Sequence, residues 1–481
     1  MNHLDPSLRS SKVLCVDLDG TLLATDALWE AVLALFRQNP FSIMLLIPWV
    51  LRGKAFLKQQ VSQRVVLDVA KLPYHAEVVE FLHQERRKGR ELVLVTATDR
   101  GIAERIARHT GLFGDVLATD GKINLRGLAK LQALKHRYGD RGFVYMGNAP
   151  VDLPVWRHAD EAILVHPSSR LLKEASRVVN VGHVFQRQTR GRLISILSAI
   201  RIHQWIKNLL VFVPLIAGHK VANLPLLAGA GIAFGAFSLC ASGVYVLNDL
   251  LDLEVDRAHP TKRNRPFASG KLGIPTGILL AGLLTLSGFS IAIMLPRRFF
   301  AILGLYVGLT TAYSVYLKRI VTLDVIALAG LYTLRIFAGG EAIRITISAW
   351  LLAFSMFLFL SLAFLKRCSE LYLLRGYDKG HVEGRGYREA DLASLTNLGA
   401  ASGYISVLVL ALYINSSQVT GLYTHPEVLW LTCPLLLYWV SRIWLKAGRG
   451  EVHDDPVIFA LKDKLSYAVG VGVALLMILA I

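Results

Sequence analysis

Two groups of acidic residues carry spacings that could do chemistry. In Asp17-Leu18-Asp19-Gly20-Thr21, two carboxylates lie two residues apart, directly after the short apolar run Val13–Val16. On a loop that follows a buried strand, such a pair can divide two tasks. Asp17 can attack a phosphorus atom and form an aspartyl phosphate. Asp19 can protonate the leaving oxygen and then activate water. Gly20 permits a tight turn that brings backbone N–H groups toward a phosphate. The second group is Asn248-Asp249-Leu250-Leu251-Asp252-Leu253-Glu254-Val255-Asp256. Spacings of three and four predict that Asp249, Asp252 and Asp256 share one helix face. Three carboxylates so placed repel one another unless a cation lies among them. Acidic side chains at a membrane helix end are also costly without a function. A Mg2+–diphosphate ligand accounts for both, against the plainer alternative of a solvated helix end.

Basic residues follow at once. Lys262, Arg263 and Arg265 come directly after the acidic cluster, as phosphate recognition requires. Lys318 and Arg319 repeat the pattern further on. Each of these singly suits an ordinary basic membrane loop equally well. Arg335 sits inside an apolar segment and must face a bundle interior or a water-filled cavity.

The elements that position these residues fall into two halves. Over 481 residues, 53% are hydrophobic and 18% charged, against about 25% charged in soluble domains. Disordered, collagen-like and disulfide-scaffold classes are excluded. Cys15, Cys240, Cys368 and Cys433 are far apart and form no CxxC pair, so reduced thiols are expected. A net charge of +18 on so apolar a chain points to basic membrane loops rather than to a nucleic-acid partner. No signal peptide is expected, since the first ten residues are polar and the first apolar run is short.

Residues 1 to about 190 read as an α/β domain. Val13–Asp17, Leu92–Thr96 and Phe143–Met146 are expected as buried parallel strands, with helices over Ala27–Arg37 and Arg100–Thr110. Ligands then belong at the strand C-termini. The stretch Pro40–Val50 is very apolar for such a domain. It is either a buried cap helix or a membrane-dipping hairpin. In 187–203, Arg187, Arg190, Arg192 and Arg201 flank Leu193, Ile194, Ile196 and Leu197, which suggests an interfacial linker helix. From 204 onward, nine spans are expected: 204–219, 225–248, 274–294, 299–316, 323–341, 348–365, 398–414, 429–445 and 465–481. Alternate loops 249–273, 317–322, 366–397 and 442–464 hold eighteen Lys and Arg, and the opposite loops hold four. That asymmetry places the first set, and the N-terminal domain, on the cytoplasmic side.

Over residues 11–168 the first half resembles the haloacid dehalogenase (HAD) superfamily. Asp17–Thr21 is similar to its first motif, and Thr96 ends an apolar run as its phosphate-binding Thr or Ser does. Lys130 falls where its phosphate-neutralising Lys does, and Gly147-Asn148-Ala149-Pro150-Val151-Asp152 resembles its acidic GDxxxD motif. The resemblance implies a Rossmann-type domain, 1–186, with a helical cap over about 22–91. It implies Asp17 and Asp19 as catalytic, Thr96 and Lys130 as phosphate contacts, and Mg2+ held by Asp17, Asp19, Asn148 and Asp152. Asn148 departs from the motif by removing one negative charge. An active phosphatase and a degenerate domain both stay open.

From about 195 to 481 the chain resembles the UbiA superfamily of intramembrane prenyltransferases, for which NDxxDxxxD is the first aspartate motif. Within it, the chain is most similar to decaprenyl-phosphate phosphoribosyltransferases. The residues concerned are Gln204-Trp205-Ile206-Lys207-Asn208, the run Asp256–Pro266, Ala312-Tyr313 with Lys318, Arg335 with Ala338-Gly339-Gly340, and Lys366-Arg367 with Glu370-Leu371. The acids Glu370, Asp378, Glu383, Glu389 and Asp391 form no DxxxD, which favours the phosphoribosyl branch over aromatic prenyltransferases. The resemblance implies an all-α polytopic domain, 204–481, of nine transmembrane helices. It implies phosphoribosyl pyrophosphate (PRPP) bound through Mg2+ to Asp249, Asp252 and Asp256, with its phosphates at Lys207, Lys262, Arg263 and Lys318. Gln204, Asn248, Arg265, Tyr313, Arg335, Lys366, Arg367 and Glu370 are the further expected substrate contacts. A polyprenyl phosphate would accept the ribose, and the HAD domain could remove the 5-phosphate of the lipid product. The expected setting is a bilayer, the inner (plasma) membrane, with both sites cytoplasmic and a homo-oligomer left open. Two readings compete: an aromatic prenyltransferase using polyprenyl diphosphate with an unrelated HAD domain, and a transporter or lipid-binding protein without turnover.

Overall fold

The computed structural model describes residues 12–120, 123–186, 191–374, 386–416, 419, 421–452, 459–460 and 463–481. Arg187 and Arg190 of the linker, and Asp378 and Glu383 of the loop 366–397, lie outside them. The chain divides into two units, Met1–Ala199 with Asp249–Leu279, and Ile200–Asn248 with Leu280–Ile481.

The first unit is built on six parallel strands: β1 (Val13–Val16), β2 (Leu92–Asp99), β3 (Asp115–Thr119), β4 (Phe143–Gly147), β5 (Glu161–Val165) and β6 (Asn180–Phe185). Their order is β3-β2-β1-β4-β5-β6. The runs VLCV and LVLV are apolar at every position because both sheet faces are covered. Leu14, Val16, Leu92 and Leu94 pack with α1 (Ala27–Gln38) and α5 (Arg100–Thr110). Cys15, Val93, Val95 and Tyr145 point the other way, toward α6 (Leu128–Tyr138), α7 (Leu153–Trp156) and α8 (Ser169–Ser176). The cap expected at about 22–91 is helical: α1, α2 (Ile43–Leu51), α3 (Lys54–Arg64) and α4 (Ala76–Arg87) all lie between β1 and β2. A buried helix over Pro40–Val50 is not what forms. Phe41, Met44, Ile47 and Val50 are exposed, while Trp49 turns into the core and Leu46 packs against it.

The unit's second piece, Asp249–Leu279, begins with the last turn of α11 (Leu224–Leu251). It continues through α12 (Leu253–Ala258) to the start of α13 (Ile274–Ala292). Buried charge fastens it to α1. The Arg257 guanidinium donates to Glu30 Oε2 at 3.0 Å and Oε1 at 2.7 Å, and its Nε donates to Ala268 O at 3.1 Å. Arg37 pairs with Glu254 at 2.8 Å.

The helical part has eight segments long and apolar enough to cross a membrane among the described residues. They are Leu193–Ala217, Leu224–Leu251, Ile274–Ala292, Arg297–Val315, Leu323–Ile343, Ala349–Tyr372, Glu389–Ile414 and Pro426–Gly448. The ninth expected span appears as the shorter apolar helix Lys464–Ala480. The linker helix and first span form one run: α9 (Arg192–Ile200), the 3-10 helix Ile202–Phe212 and α10 (Val213–Ala217). Arg201 interrupts it at φ +56°. Gly339 is required by contact: a Cβ there would lie 2.0 Å from the Val211 carbonyl oxygen. Close backbone approach through small residues is how membrane helices pack.

Candidate active sites

Asp17 ends β1, and its N–H bonds to the Met146 carbonyl of β4 at 3.0 Å. This is where the strand order reverses and a crevice opens in such sheets. Gly20 adopts φ +77°, and a Cβ there would meet Asn148 Nδ2 at 2.1 Å, so only glycine lets the β1 and β4 loops close on each other. Lys130 Nζ donates to Asp17 Oδ1 at 2.7 Å and to the Tyr145 hydroxyl at 2.8 Å. Tyr145 in turn donates to Asp152 Oδ1 at 3.1 Å. Asp152 Oδ2 accepts the N–H groups of Asn148 and Ala149 at 3.2 and 3.1 Å. Asp19 accepts from the Ala27 N–H at 2.8 Å and from Thr98 Oγ1 at 2.6 Å. Thr96 is buried and takes the Thr98 N–H at 3.0 Å.

The electrostatics are those of a site rich in carboxylates and poor in cations. Burial, then the neighbouring Asp26 carboxylate, raises Asp19 to about 7. Burial, then Asp17, raises Asp152 to about 6. Among the described residues, no three His, Cys, Asp or Glu side chains form a ready metal cage. Two buried carboxylates, Asp17 and Asp152, the second capping the backbone N–H of Asn148, nevertheless suit Mg2+, which takes one or two carboxylates and completes its shell with water and phosphate.

Three residues of this site carry no spacing that would reveal them. Tyr145 bridges Lys130 and Asp152, and its one sequence signal is a hydroxyl inside a fully buried strand, which must find a partner. Thr98 holds Asp19. Lys58 reaches in from the cap on α3, donating to the Ala97 carbonyl at 2.5 Å and to Asn124 Oδ1 at 3.1 Å. Burial lowers its pKa while the Asp19 and Asp26 carboxylates oppose the change.

The second acidic group departs from a continuous helix. Helix α11 ends at Leu251, and Asp252, at φ −97° and ψ 11°, separates it from α12. The Asp252 carbonyl still accepts the Asp256 N–H at 2.8 Å, so the turn continues in direction. Asp249 and Asp256 are buried and converge on Arg265 Nη1, at 3.1 and 2.6 Å. Arg265, expected at a phosphate, here bridges two carboxylates and offsets one of their two charges. Lys262 is partly buried and Arg263 exposed on the short turn Lys262–Asn264.

In the second unit the expected residues form two polar groups. Asn208 Nδ2 donates to Ser238 Oγ at 3.0 Å, and Asn208 Oδ1 accepts from Arg335 Nε at 2.9 Å. Arg335 also donates to the Leu331 carbonyl at 2.7 Å and the Tyr306 hydroxyl at 2.9 Å. It faces the bundle interior, as an intramembrane charge should. Lys207 is buried with Nζ 5.8 Å from the centre of the Tyr332 ring. In the other group, Arg367 donates to Asp324 Oδ2 at 2.5 Å, Glu370 Oε2 at 2.6 Å and the Tyr313 hydroxyl at 2.8 Å. Tyr387 donates to the second Asp324 oxygen. Asp324 and Tyr387 join the expected Tyr313, Arg367 and Glu370. Gln204, Asn248, Lys318 and Lys366 are partly buried.

The UbiA prenyltransferase family model matches residues 209–461. The chain belongs to the UbiA prenyltransferase family. A second model, haloacid dehalogenase-like hydrolase, matches residues 14–157. The chain is thus an enzyme that joins a hydrolase domain to a membrane-embedded transferase domain. "Uncharacterized protein y4nM" of Sinorhizobium fredii is 36% identical over 99% of this chain and 92% of its own length. "Nodulation protein NoeC" of Azorhizobium caulinodans is 39% identical over 58% of this chain and 90% of its own. "Decaprenyl-phosphate phosphoribosyltransferase" of Mycolicibacterium smegmatis is 38% identical over 56% of this chain and 87% of its own. The eight apolar helices and the family together make this a membrane protein.

Proposed function

We propose that this UbiA-family enzyme transfers 5-phosphoribose from PRPP to a polyprenyl phosphate at the cytoplasmic face of the plasma membrane, and that its HAD domain then removes the 5-phosphate of the lipid product. The observation that carries the first step is the pair of buried carboxylates, Asp249 and Asp256, drawn onto one cationic group. One guanidinium offsets only one of these two buried charges, and the negative charge left over is what a Mg2+-bound diphosphate would meet. The relative named decaprenyl-phosphate phosphoribosyltransferase supports the choice of acceptor and of the group transferred.

In the transfer, a phosphate oxygen of the lipid bonds to the anomeric carbon while the bond from that carbon to pyrophosphate breaks. Asp249, Asp252 and Asp256 would hold Mg2+, which neutralises the pyrophosphate charge. Lys207, Lys262, Arg263 and Lys318 supply further positive charge to the phosphates, and catalysis is chiefly electrostatic and positional. In the second step, Asp17 attacks phosphorus and the ribose 5-oxygen leaves with a proton from Asp19. Asp19 then takes a proton from the water that hydrolyses the aspartyl phosphate. Asp17, Asp152, Asn148 and the Asp19 loop would hold a second Mg2+, and Lys130 neutralises Asp17 and the incoming phosphate. An Asp19 raised to about 7 holds its proton near neutral pH, as a leaving-group acid must.

The test is to incubate the purified full chain with radiolabelled PRPP, Mg2+ and polyprenyl phosphate. The expected result is label in the lipid phase together with released pyrophosphate and, later, inorganic phosphate. Prenylation of an aromatic acceptor from polyprenyl diphosphate, with no transfer from PRPP, would overturn the reading.

A further inference from the structure

Helix α2 presents an apolar surface that its own unit leaves uncovered. Met44 is 69% exposed, Ile47 67% and Leu51 83%, and Phe41 just before the helix is 78% exposed. Trp49 anchors the helix, buried with the Arg64 guanidinium 4.7 Å from its ring centre. Soluble surfaces scatter such side chains singly, and a contiguous group marks an interaction site.

Three observations choose the occupant. First, the unit that carries α2 is joined by its own chain to three apolar, membrane-length segments. It leaves at Ala199 into Leu193–Ala217, and it receives Asp249 from Leu224–Leu251 and passes Leu279 to Ile274–Ala292. A unit tethered three times to a bilayer meets lipid at a high local concentration. Second, α9 of the same unit exposes Leu193 and Ile194 at 69% and 68%. Third, Arg52 and Lys54 follow the apolar face of α2 directly and are exposed, matching anionic lipid headgroups. We propose that α2 lies in the membrane interface, with Phe41, Met44, Ile47 and Leu51 among the acyl chains and Arg52 and Lys54 at the headgroups.

This gives the cap a task. Gly53 links α2 directly to α3, and α3 brings Lys58 to the Ala97 carbonyl, beside the Asp19 loop. A cap held in the interface keeps the Asp17 crevice at the level of a phosphate borne on a lipid. That consequence rests on the phosphatase reading above, whereas the insertion itself does not.

The test uses the full chain in anionic lipid nanodiscs. The four native cysteines are buried, so Ile47→Cys and Leu51→Cys can be labelled selectively with an environment-sensitive fluorophore. Exposed Arg87 on α4, as Arg87→Cys, is the reference site. Labels at 47 and 51 should be quenched severalfold more by lipid-borne nitroxide than the label at 87, and shielded from aqueous iodide. A response equal to that at 87 overturns the proposal. So does shielding from iodide without lipid quenching, which would mean that a second copy or another protein covers α2. In activity, Ile47→Gln with Leu51→Gln should slow phosphate release from the lipid product about tenfold or more, since two apolar anchors are lost. Turnover of a soluble phosphate ester should stay unchanged. An equal loss on both substrates overturns the task given to the cap. No phosphatase activity on either substrate, with lipid quenching intact, sinks the phosphatase reading and leaves the insertion standing.

Discussion

Replacing Glu30 with alanine should loosen the whole N-terminal unit, although Glu30 is not itself a catalytic candidate. The Glu30 and Arg257 side chains are 5% and 7% exposed and joined by two hydrogen bonds, and Thr25 Oγ1 adds a third to Glu30 at 2.8 Å. Removing the carboxylate strands a guanidinium in a site nearly closed to water, which costs about 3–5 kcal/mol. Arg257 keeps its bond to the Ala268 carbonyl, so the lower end, about 3 kcal/mol, is expected. That is a factor of about 160 in an opening equilibrium. Cys15 reports it. It is fully buried in β1, is the one cysteine of this unit, and has its thiol pushed up to about 12 by burial. In urea pulses that open the unit, Glu30→Ala should therefore let Cys15 react about a hundredfold faster than wild type. Glu30→Met with Arg257→Met should lose far less than the two single variants summed, because an apolar pair replaces an ionic one. Labelling of Glu30→Ala within twofold of wild type would mean that the pair does not hold Asp249–Leu279 to α1. The coupling bears on function because Ala27, at the start of α1, donates to Asp19, and Asp256 adjoins Arg257 in the chain.

Further outcomes follow from the two acidic sites. Asp17→Asn should stop inorganic phosphate release, leave transfer intact and accumulate the 5-phosphorylated lipid; release at the wild-type rate would remove Asp17 as nucleophile. Asn148→Asp restores a carboxylate and should lower the Mg2+ midpoint of phosphate release by about tenfold, and an unchanged midpoint would place Asn148 away from the ion. Asp249→Asn should abolish transfer in a folded protein, whereas near-normal turnover across Mg2+ concentrations would discard the aspartate site. Asp19 and Asp152 are raised to about 7 and about 6, so both bind protons more tightly folded than unfolded. That contribution to stability is full below about pH 4 and is lost as pH rises through 7. Mg2+ should therefore raise the melting temperature of the unit much more at pH 8 than at pH 5, and an equal increment at both would contradict the assignment.

What the sequence could reveal depended on how many residues shared a signal. The strands VLCV, LVLV and FVYMG are legible because burial on both faces makes every position apolar. Strands β3 and β6, at the two sheet edges, are partly exposed and mixed in composition, and β5 (EAILV) opens on Glu161 and Ala162, which leaves only three branched or large apolar residues in a row. The break at Asp252 leaves no mark, since LLDLEVD holds helical spacing without Gly or Pro. The turn at Arg201 is equally silent, because a left-handed residue there is imposed by packing rather than by residue type. Tyr145, Thr98, Lys58 and Asp324 were missed as single polar residues inside apolar or unpatterned stretches. For Asp324 the warning was present: an acid at the second position of the expected span 323–341, in an apolar helix, needs a buried partner. Arg367, expected at the substrate, supplies it.

Arg265 separates what charge and spacing require from what the fold supplies. Acids at Asp249, Asp252 and Asp256 announce that a cation must sit among them, because charges of one sign do not share a closed site. Charge and spacing cannot say which cation answers. A base nine residues beyond Asp256 fits a phosphate contact by composition, yet the fold of the turn Lys262–Asn264 returns it to Asp249 and Asp256. The requirement is readable from three aspartates; Arg265 answers one charge of it through a loop whose path no local pattern encodes, and the negative charge that remains is the part left to a metal ion.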